Sequence, residues 1–271
     1  MTSSQLLGAL AIPWTKSNVP AILDAHYPGQ QGGTAVWKTL LNLDGAAPAG
    51  RITTTIYDAD FVNHHDMNNM ALDNITYMHY SGKPLWEFGF GLSYSRFNVT
   101  WHSSGSSSSV YGVQSVTTTE MAKVHREYYK GRGRSAAKGS VDLWHSPAMF
   151  TATVMNTGTV ASDYVVLGFI SSSVEQQAAD PGSPIRELFD FARVSLAPGA
   201  STTVHLSVSP AVLSQTTASG EQVLRRGNYK IELGGKQLGD ATDLVGELRV
   251  TGENESIFSL EAARQGTTRP I

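Results

Sequence analysis

Glycines and large aromatic residues alternate closely in the segment KPLWEFGFGLSYSRF, which runs from Lys83 to Phe97. Gly89 and Gly91 permit backbone torsions and close approaches that a β-carbon would forbid. The same segment offers four large aromatic side chains for burial: Trp86, Phe88, Phe90 and Tyr94. Neither a helix nor an ordinary strand suits this pattern. We therefore predict that Lys83–Phe97, called the corner below, is packed tightly where one domain passes into the next.

The residues before the corner have a mixed α/β pattern. The apolar run Ala21–Asp24 predicts a buried strand, the loop PGQQGG follows it, and Thr34–Leu41 has the apolar spacing of a helix. The β-branched run Arg51–Tyr57 predicts a second strand. Two strands cannot cover the faces and edges of an α/β sheet. We therefore expect the end of a larger domain that begins upstream of Met1, which would make the chain a fragment, the product of a truncated gene model or one piece of an assembly.

The residues after the corner begin with a low-complexity linker and then change to a pattern of period two. Ser103–Ser109 consists almost entirely of serine, and Thr117 and Glu120 have the spacing of a helix capping box. From Met149 onward apolar residues alternate with polar ones, as in the later run Tyr229, Ile231 and Leu233. Turn signals separate these runs at the spacing typical of a β-sandwich.

These patterns predict an α+β chain in four parts. Residues 1–101 form the C-terminal part of an α/β sandwich domain, and residues 102–147 form a Ser-rich linker with a short helix and a basic loop. Residues 148–250 form an all-β sandwich. Residues 251–271 form a polar tail, with a short helix predicted around Ile257–Arg264.

Several of these segments resemble motifs of the family 3 glycoside hydrolases, in the family's order. The corner is similar to the FG-x-GLSY-x-x-F run that closes the family's second domain and leads into a fibronectin type III-like domain. The other similar segments are Leu23–Gly33 (LDAHYPGQQGG), Pro48–Ile52 (PAGRI), Asn156–Ile170, Pro184–Ala192 and Ala197–Ala200. The SDYVVLGF run and the DMNNMAL loop resemble the β-xylosidase branch. The resemblance covers most of residues 20–235.

This resemblance implies an enzyme that hydrolyses terminal β-D-xylosyl residues of xylo-oligosaccharides, with retention through a covalent glycosyl intermediate. It implies as partners an upstream catalytic barrel and the remainder of the α/β domain, which would contact the oligosaccharide substrate. It also implies an extracellular location. A β-glucosidase or an α-L-arabinofuranosidase of the same family is an alternative. A module without catalytic activity that binds carbohydrate or protein is an alternative from another class.

Glycoside hydrolysis requires two carboxyl groups that flank the scissile bond. The candidates are Asp58, Asp60, Asp66, Asp73 and Glu87, but caps and turns also account for aspartates at such positions. By the resemblance, the nucleophilic aspartate and the acid/base glutamate both lie upstream of the YPGQ motif. We therefore expect no catalytic residue in this chain, which would support the catalytic part rather than act alone.

Other kinds of site find little support in the sequence. His64, His65 and Asp66, with His79 nearby, lack the spacing of a zinc site, so we predict no metal. The loop PGQQGG lacks the glycine spacing of a nucleotide site, so we predict no cofactor. His145 and Ser146 occur without a G-x-S-x-G elbow, which argues against a catalytic triad.

Charge and composition limit the partners further. The formal net charge is −3 and the basic run Lys130–Lys138 has little aromatic interleaving, so we predict no nucleic-acid partner. No apolar run has the length of a membrane span, and the first residues do not resemble a signal peptide. The chain contains no cysteine. Sequons occur at Asn74, Asn98 and Asn254 and are possible N-glycosylation sites in a secretory pathway.

Overall fold

A computed structural model describes the backbone of residues 2–4, 12–66, 68, 74–102, 112–132, 146–173, 182–217, 219–234, 236–237 and 243–259. The predicted α+β arrangement is confirmed, with a partial α/β region followed by a β-sandwich. The predicted Ser-rich linker Ser103–Ser109, residue Asp73, residue His145 and most of the basic run lie outside the described residues.

The α/β region contains few regular elements, as the sequence predicts. Strand β1 (Thr2–Ser4) pairs in parallel with β2 (Ile22–Asp24). Helix α1 (Pro13–Asn18) lies between these two strands in the chain, and α2 (Gly32–Leu41) and α3 (Thr76–His79) come after them. Short 3-10 helices cover Leu43–Gly45 and Ala59–Asn63. The helix predicted at Thr34–Leu41 is confirmed, and the strand predicted at Ala21–Asp24 is present at Ile22–Asp24, where it is half-buried rather than buried as predicted.

The prediction of a second strand at Arg51–Tyr57 is wrong. This segment forms only an isolated bridge, between Ile56 and Trp86, and a few further backbone hydrogen bonds to the corner. The Ile52 N–H donates to the Phe90 carbonyl at 2.8 Å, and the Gly89 N–H donates to the Ile52 carbonyl at 2.7 Å. Gly89 has a φ of +83°, which turns the partner segment out of an extended conformation and interrupts the ladder.

The sandwich consists of two main sheets and a smaller third one. The first sheet has the order β4 (Phe97–Trp101), β6 (Met149–Asn156) and β9 (Ser201–Ser207). The second has the order β5 (Val113–Thr117), β14 (Leu244–Thr251), β12 (Gly227–Gly234), β7 (Ser162–Ser172) and β8 (Glu187–Leu196). The third has the order β10 (Ser214–Thr216), β11 (Glu221–Leu224) and β15 (Glu255–Ser259). A parallel pair joins β3 (Phe90–Gly91) to β13 (Lys236–Gln237).

The alternating apolar residues of these strands form one buried core. Phe150, Leu206 and Ile231 are fully buried, and the rings of Phe97 and Tyr164 lie 4.5 Å apart between their centroids. Phe97 belongs to the corner, so the first strand of the sandwich brings the corner directly into this core. Burial of side chains of this size contributes roughly 1.5–3 kcal/mol each.

The structure differs from the predicted boundaries at three strands. Phe97–Trp101 pairs with β6 and Val113–Thr117 pairs with β14, so both belong to the sandwich rather than to the preceding domain and the linker. Glu255–Ser259 pairs with β11, within the predicted polar tail. The helix predicted around Ile257–Arg264 is therefore wrong for residues 257–259, while residues 260–264 lie outside the described part. Edge pairing overrides the weak polar pattern of this segment.

Helix α4 (Thr118–Arg132) begins with the predicted capping box. The Glu120 N–H donates to Thr117 Oγ1 at 3.1 Å, and the Thr117 N–H donates to Glu120 Oε2 at 2.8 Å. These reciprocal bonds satisfy two backbone donors at the helix start. Among the described residues, no helix has both the length and the apolar composition needed to cross a membrane.

The buried histidine of α4 makes stability depend on pH. Burial, and then the nearby Arg126 charge, lower the pKa of His125 from its ordinary value of 6.5. Because the folded chain keeps His125 neutral while the unfolded chain protonates it, the free energy of unfolding should fall as pH drops below about 6.5. Urea unfolding between pH 7.5 and pH 5 checks this expectation. The variant His125→Gln should show a flatter pH dependence, and an unchanged slope would contradict the assignment.

Candidate functional site

Stacked aromatic rings join the α/β region to the sandwich beside the corner. The rings of Tyr77 and Phe88 stack with their centroids 4.1 Å apart, and each also meets Phe169 of β7 edge-on at 6.1 Å. The guanidinium of Arg186 lies over the Phe169 ring, at 4.1 Å from the ring centroid. Such aromatic pairs contribute about 0.5–1.5 kcal/mol each beyond the burial of their area.

Two hydrogen bonds from backbone N–H groups also fix the contact between α3 and the sandwich. The Leu188 N–H donates to the Tyr77 hydroxyl at 3.2 Å, and the Ile185 N–H donates to the Met78 carbonyl at 2.6 Å. Helix α3 is therefore bonded directly to the segment that leads into β8. Because directional bonds accompany the stacked rings, this contact has one defined geometry rather than a loose apolar association.

Two glycines of the corner have specific steric roles. A β-carbon on Gly89 would lie 2.5 Å from Leu167 Cδ1 of β7, and Gly89 also has a φ of +83°. A β-carbon on Gly91 would lie 2.4 Å from the Gly50 carbonyl oxygen. The predicted close packing is thus present at both glycines, because glycine alone has no β-carbon to meet these atoms. The burial predicted for Tyr94 is wrong: this residue is 41% exposed, and its hydroxyl donates to the Leu40 carbonyl at 2.9 Å.

Arg51 links the two regions through its side chain. Its guanidinium lies over the Tyr164 ring at 5.0 Å from the centroid, and Nη2 donates to the Val165 carbonyl at 3.4 Å. A partly buried arginine over an aromatic face gains a favourable cation–π interaction. Arg51 therefore stabilises the position of the α/β region against β7.

Large apolar side chains of the α/β region remain exposed to solvent. Tyr27 is 86% exposed, Val62 is 67% exposed and Trp14 is 66% exposed. Trp37 and Leu41, four residues apart on α2, are also exposed and share one helix face. We call these five exposed side chains, Trp14, Tyr27, Trp37, Leu41 and Val62, the apolar surface. Exposed apolar groups that adjoin one another, as Trp37 and Leu41 do on α2, typically mark a surface that another part of a protein binds.

The candidate carboxylates at Asp58 and Asp60 have local structural partners. Asp58 precedes the 3-10 helix and its Oδ1 accepts from the Asp60 N–H at 3.0 Å. Asp60 accepts from Asn63 Nδ2 at 2.7 Å and lies 2.8 Å from His64 Nε2. Hydrogen bonds from Asn63 and His64 lower the pKa of Asp60. These are the cap and turn interactions that the sequence analysis gave as the alternative explanation.

The remaining candidates are similarly placed. Asp66 accepts from both the N–H and the side-chain amide of Asn68, which lowers its pKa. Glu87 is exposed on the corner, and Asp73 lies outside the described residues. A general acid in a glycosidase requires a raised pKa and an enclosed position. Asp60 and Asp66 have the opposite properties, because they are exposed and their ionised forms are stabilised.

The candidate metal ligands do not converge. His64 pairs with Asp60, whereas the ring of His65 stacks on Phe61 at 5.5 Å, and His79 lies half-buried on α3. Among the residues that the structure describes, no group of three histidine, aspartate or glutamate side chains is arranged to hold a metal ion.

The glycine loop and the serine candidate both have packing roles. Gly32 starts α2, and a β-carbon there would lie 2.5 Å from Pro28 Cγ, so the loop folds tightly onto the helix start. The buried Ser146 hydroxyl donates to the Val208 carbonyl at 2.7 Å. This bond joins the residues just before β6 to the residue that follows β9. His145 and residues 133–138 of the basic run lie outside the described part of the chain.

Comparison with known families identifies the two regions. Residues 3–94 match the glycosyl hydrolase family 3 C-terminal domain, and residues 170–237 match the fibronectin type III-like domain. The chain therefore matches the C-terminal domain of the family 3 glycoside hydrolases and, after it, a fibronectin type III-like domain. The predicted resemblance is therefore confirmed, including the order of the α/β region and the fibronectin-like sandwich.

The relatives that this chain matches are considerably longer. A probable exo-1,4-beta-xylosidase of Aspergillus flavus is 32% identical over 266 residues, which cover 94% of this chain and 30% of the relative. An exo-1,4-beta-xylosidase of Emericella nidulans is 36% identical over 222 residues, which cover 79% of this chain and 25% of the relative. The chain thus spans less than a third of the length of these curated relatives.

Solved structures share the fold. A family 3 exo-beta-xylosidase in complex with a xylobiose aziridine activity-based probe has a TM-score of 0.68 at 26% identity, covering 90% of this chain and 30% of that one. The beta-D-glucoside glucohydrolase of Trichoderma reesei has a TM-score of 0.59 at 24% identity, covering 86% and 30%. The second likeness concerns the fold alone.

Sequence reasoning missed the partners of the corner. It identified Phe88 and Gly89 but not Tyr77, Phe169 or Arg186, which come from distant parts of the chain. The pattern TYMHY around Tyr77 is too short to show helical periodicity. The apolar residues on both faces of β7 were the signal that could have indicated this contact, because a strand that is covered on both sides has no polar face.

The close approach at Gly89 predicts a specific mutational cost. Gly89→Ala should destabilise the chain more than Gly199→Ala by about 1–3 kcal/mol, because the new methyl group meets Leu167. Gly199 is a matched control, since it also has a positive φ, +75°, but open space around its Cα. Urea denaturation of both variants measures the difference. Equal losses would show that backbone torsion alone, and not the contact, fixes glycine at position 89.

Proposed function

We propose that this chain is the C-terminal supporting part of an enzyme that hydrolyses terminal β-D-xylosyl residues of xylo-oligosaccharides. Its partners are an upstream catalytic barrel and the remainder of the α/β domain. The relatives named exo-1,4-beta-xylosidases support the substrate class, and the small share of their length that matches supports the supporting role. Xylan breakdown is therefore the process in which this protein acts.

The apolar surface is the structural observation that carries this proposal. Tyr27, Trp37 and Val62 would each cost free energy in water, at roughly 25 cal/mol for every Å² of apolar area left exposed. Covering them with the rest of the α/β domain removes that cost. The helix that carries Trp37 and Leu41 is bonded to the corner, since the Tyr94 hydroxyl donates to the Leu40 carbonyl at 2.9 Å, so the upstream part would rest on a fixed base.

We further propose that the catalytic carboxylates lie outside this chain. Asp58, Asp60 and Asp66 are engaged in caps and turns, and the lowered pKa of Asp60 and Asp66 does not suit an acid catalyst. The role of the chain is then to position a catalytic part without contacting the reacting sugar.

Two sets of experiments test this function. The 271-residue chain alone should release no nitrophenol from aryl β-xyloside, aryl β-glucoside or aryl α-L-arabinofuranoside. Joined to the upstream portion of the Emericella nidulans relative in place of its own matching region, it should restore aryl β-xyloside hydrolysis. Turnover by the chain alone would contradict the proposal. Binding of xylo-oligosaccharide or of an unrelated protein, without restoration, would favour a binding module.

The apolar surface provides the sharper form of this test. Within the joined protein, the double variant Trp37→Ser and Leu41→Ser should lower both the unfolding temperature and the activity, because the upstream part loses its apolar contact. Val245→Ser, an exposed apolar position on the sandwich, is the matched control and should change neither. If both variants behave alike, the apolar surface does not bind the upstream part.

An extracellular location and glycosylation complete the proposal. Asn254 is exposed between β14 and β15, and Asn74 is exposed before α3, so a glycan fits at both positions. Asn98 lies half-buried in β4 opposite Met155, where a glycan would crowd the neighbouring strand. In a fungal secretory host we expect glycosylated peptides at Asn254 and Asn74 and little at Asn98. Peptide mass spectrometry checks this order, and glycosylation at Asn98 alone would contradict it.

A further inference from the structure

A small cleft lies in the sandwich, away from the apolar surface. It has a volume of about 80 Å³ and is bounded by the ends of β7, β8, β10 and β12. Ile170 and Leu213 supply apolar walls, while Glu187, Ser214 and Tyr229 supply polar ones. The proposed glycosidase function assigns no role to this cleft.

Glu187 is a half-buried carboxylate on the wall of the cleft. It is the first residue of β8, paired in register with Ile170 of β7. Among the described residues it has no hydrogen-bond or ion-pair partner, and burial raises its pKa. A buried carboxylate without a partner is uncommon, because removing the ion from water carries a large free-energy cost.

The neighbouring cations are engaged elsewhere. Arg186 lies over the Phe169 ring, and Arg225 Nε donates to Gln215 Oε1 at 2.8 Å. Residues 174–181, which precede this part of the chain, include no lysine or arginine. The described chain therefore brings no positive charge to the Glu187 carboxylate.

The other polar groups of the cleft direct their protons to the backbone. The Ser214 hydroxyl donates to the Ala211 carbonyl at 2.8 Å, and the Tyr229 hydroxyl donates to the Arg225 carbonyl at 2.8 Å. The Gln215 side-chain amide donates to Ser183 Oγ. The cleft thus combines one negative charge with oxygen atoms that accept hydrogen bonds, and the Ser214 and Tyr229 hydroxyl protons are already donated to backbone carbonyls.

We propose that this cleft binds a protonated amine or guanidinium group, with Glu187 as its counter-ion and Ser214 Oγ as a neutral acceptor. Such a group carries several N–H donors and a positive charge, which complement a cleft of acceptors. The volume suits a head group of a few heavy atoms, since a single water molecule needs only about 10–15 Å³ of such space. Ile170 and Leu213 would contact the aliphatic stem of the ligand.

Two kinds of ligand carry a protonated amine or guanidinium group. One is a lysine or arginine side chain of a protein segment, and the other is a free small cation. Titration of the whole chain with ethylguanidinium, followed by amide chemical shifts, tests the binding. We expect saturable shifts at Ile170, Leu213 and Ser214. Ethylurea has nearly the same shape without the charge and should produce no saturable shift there. A short peptide with a single arginine, titrated in the same way, should bind more tightly if the source is a protein segment.

The variant Glu187→Gln tests the counter-ion. It should weaken ethylguanidinium binding about tenfold or more, because a charge-assisted hydrogen bond is lost. Glu253→Gln, a change at an exposed carboxylate far along the chain, should leave the binding unchanged. Equal binding of ethylguanidinium and ethylurea to the unaltered chain would overturn the proposal. So would binding of a neutral polyol such as xylose in preference to the cation, and neither result depends on whether a variant folds.

Discussion

The contact between Gly89 and Leu167 is the constraint on which the two-part architecture depends. It brings the backbone of the corner against β7, and Phe90–Gly91 also pairs in parallel with β13, the short strand that follows β12 in the chain. Phe97 then enters the sandwich core a few residues later. The corner therefore belongs to both regions at once, as a wall of the α/β region and as the start of the sandwich.

The consequences extend to the aromatic stack and to Arg51. With the corner in place, Phe88 meets Tyr77 and Phe169, and Arg51 reaches the Tyr164 ring. Helix α3 is thereby held against β8, and the long segment that precedes it has a fixed end. A supporting region must transmit a defined geometry to the part that it supports. Stacked rings combined with backbone hydrogen bonds provide that geometry more directly than apolar area alone.

Much of this arrangement could be predicted because local signals agree with the fold. The alternating run Tyr229, Ile231 and Leu233 forms β12, and the Thr117 and Glu120 spacing forms a capping box. Prediction failed at Arg51–Tyr57, where β-branched residues favour a strand but the glycine of the partner segment interrupts the ladder. It also failed at Ile257, where pairing with β11 decides the conformation. The unpaired Glu187 and the exposed apolar surface depend on distant contacts, which a single sequence does not encode locally.

If the corner joins the α/β region and the sandwich into one folding unit, the two regions unfold together. Differential scanning calorimetry of the 271-residue chain distinguishes joint from separate unfolding. We expect a single transition, with equal calorimetric and van't Hoff enthalpies. Two separate transitions, or a calorimetric enthalpy well above the van't Hoff value, would show that the α/β region unfolds independently and would contradict this expectation.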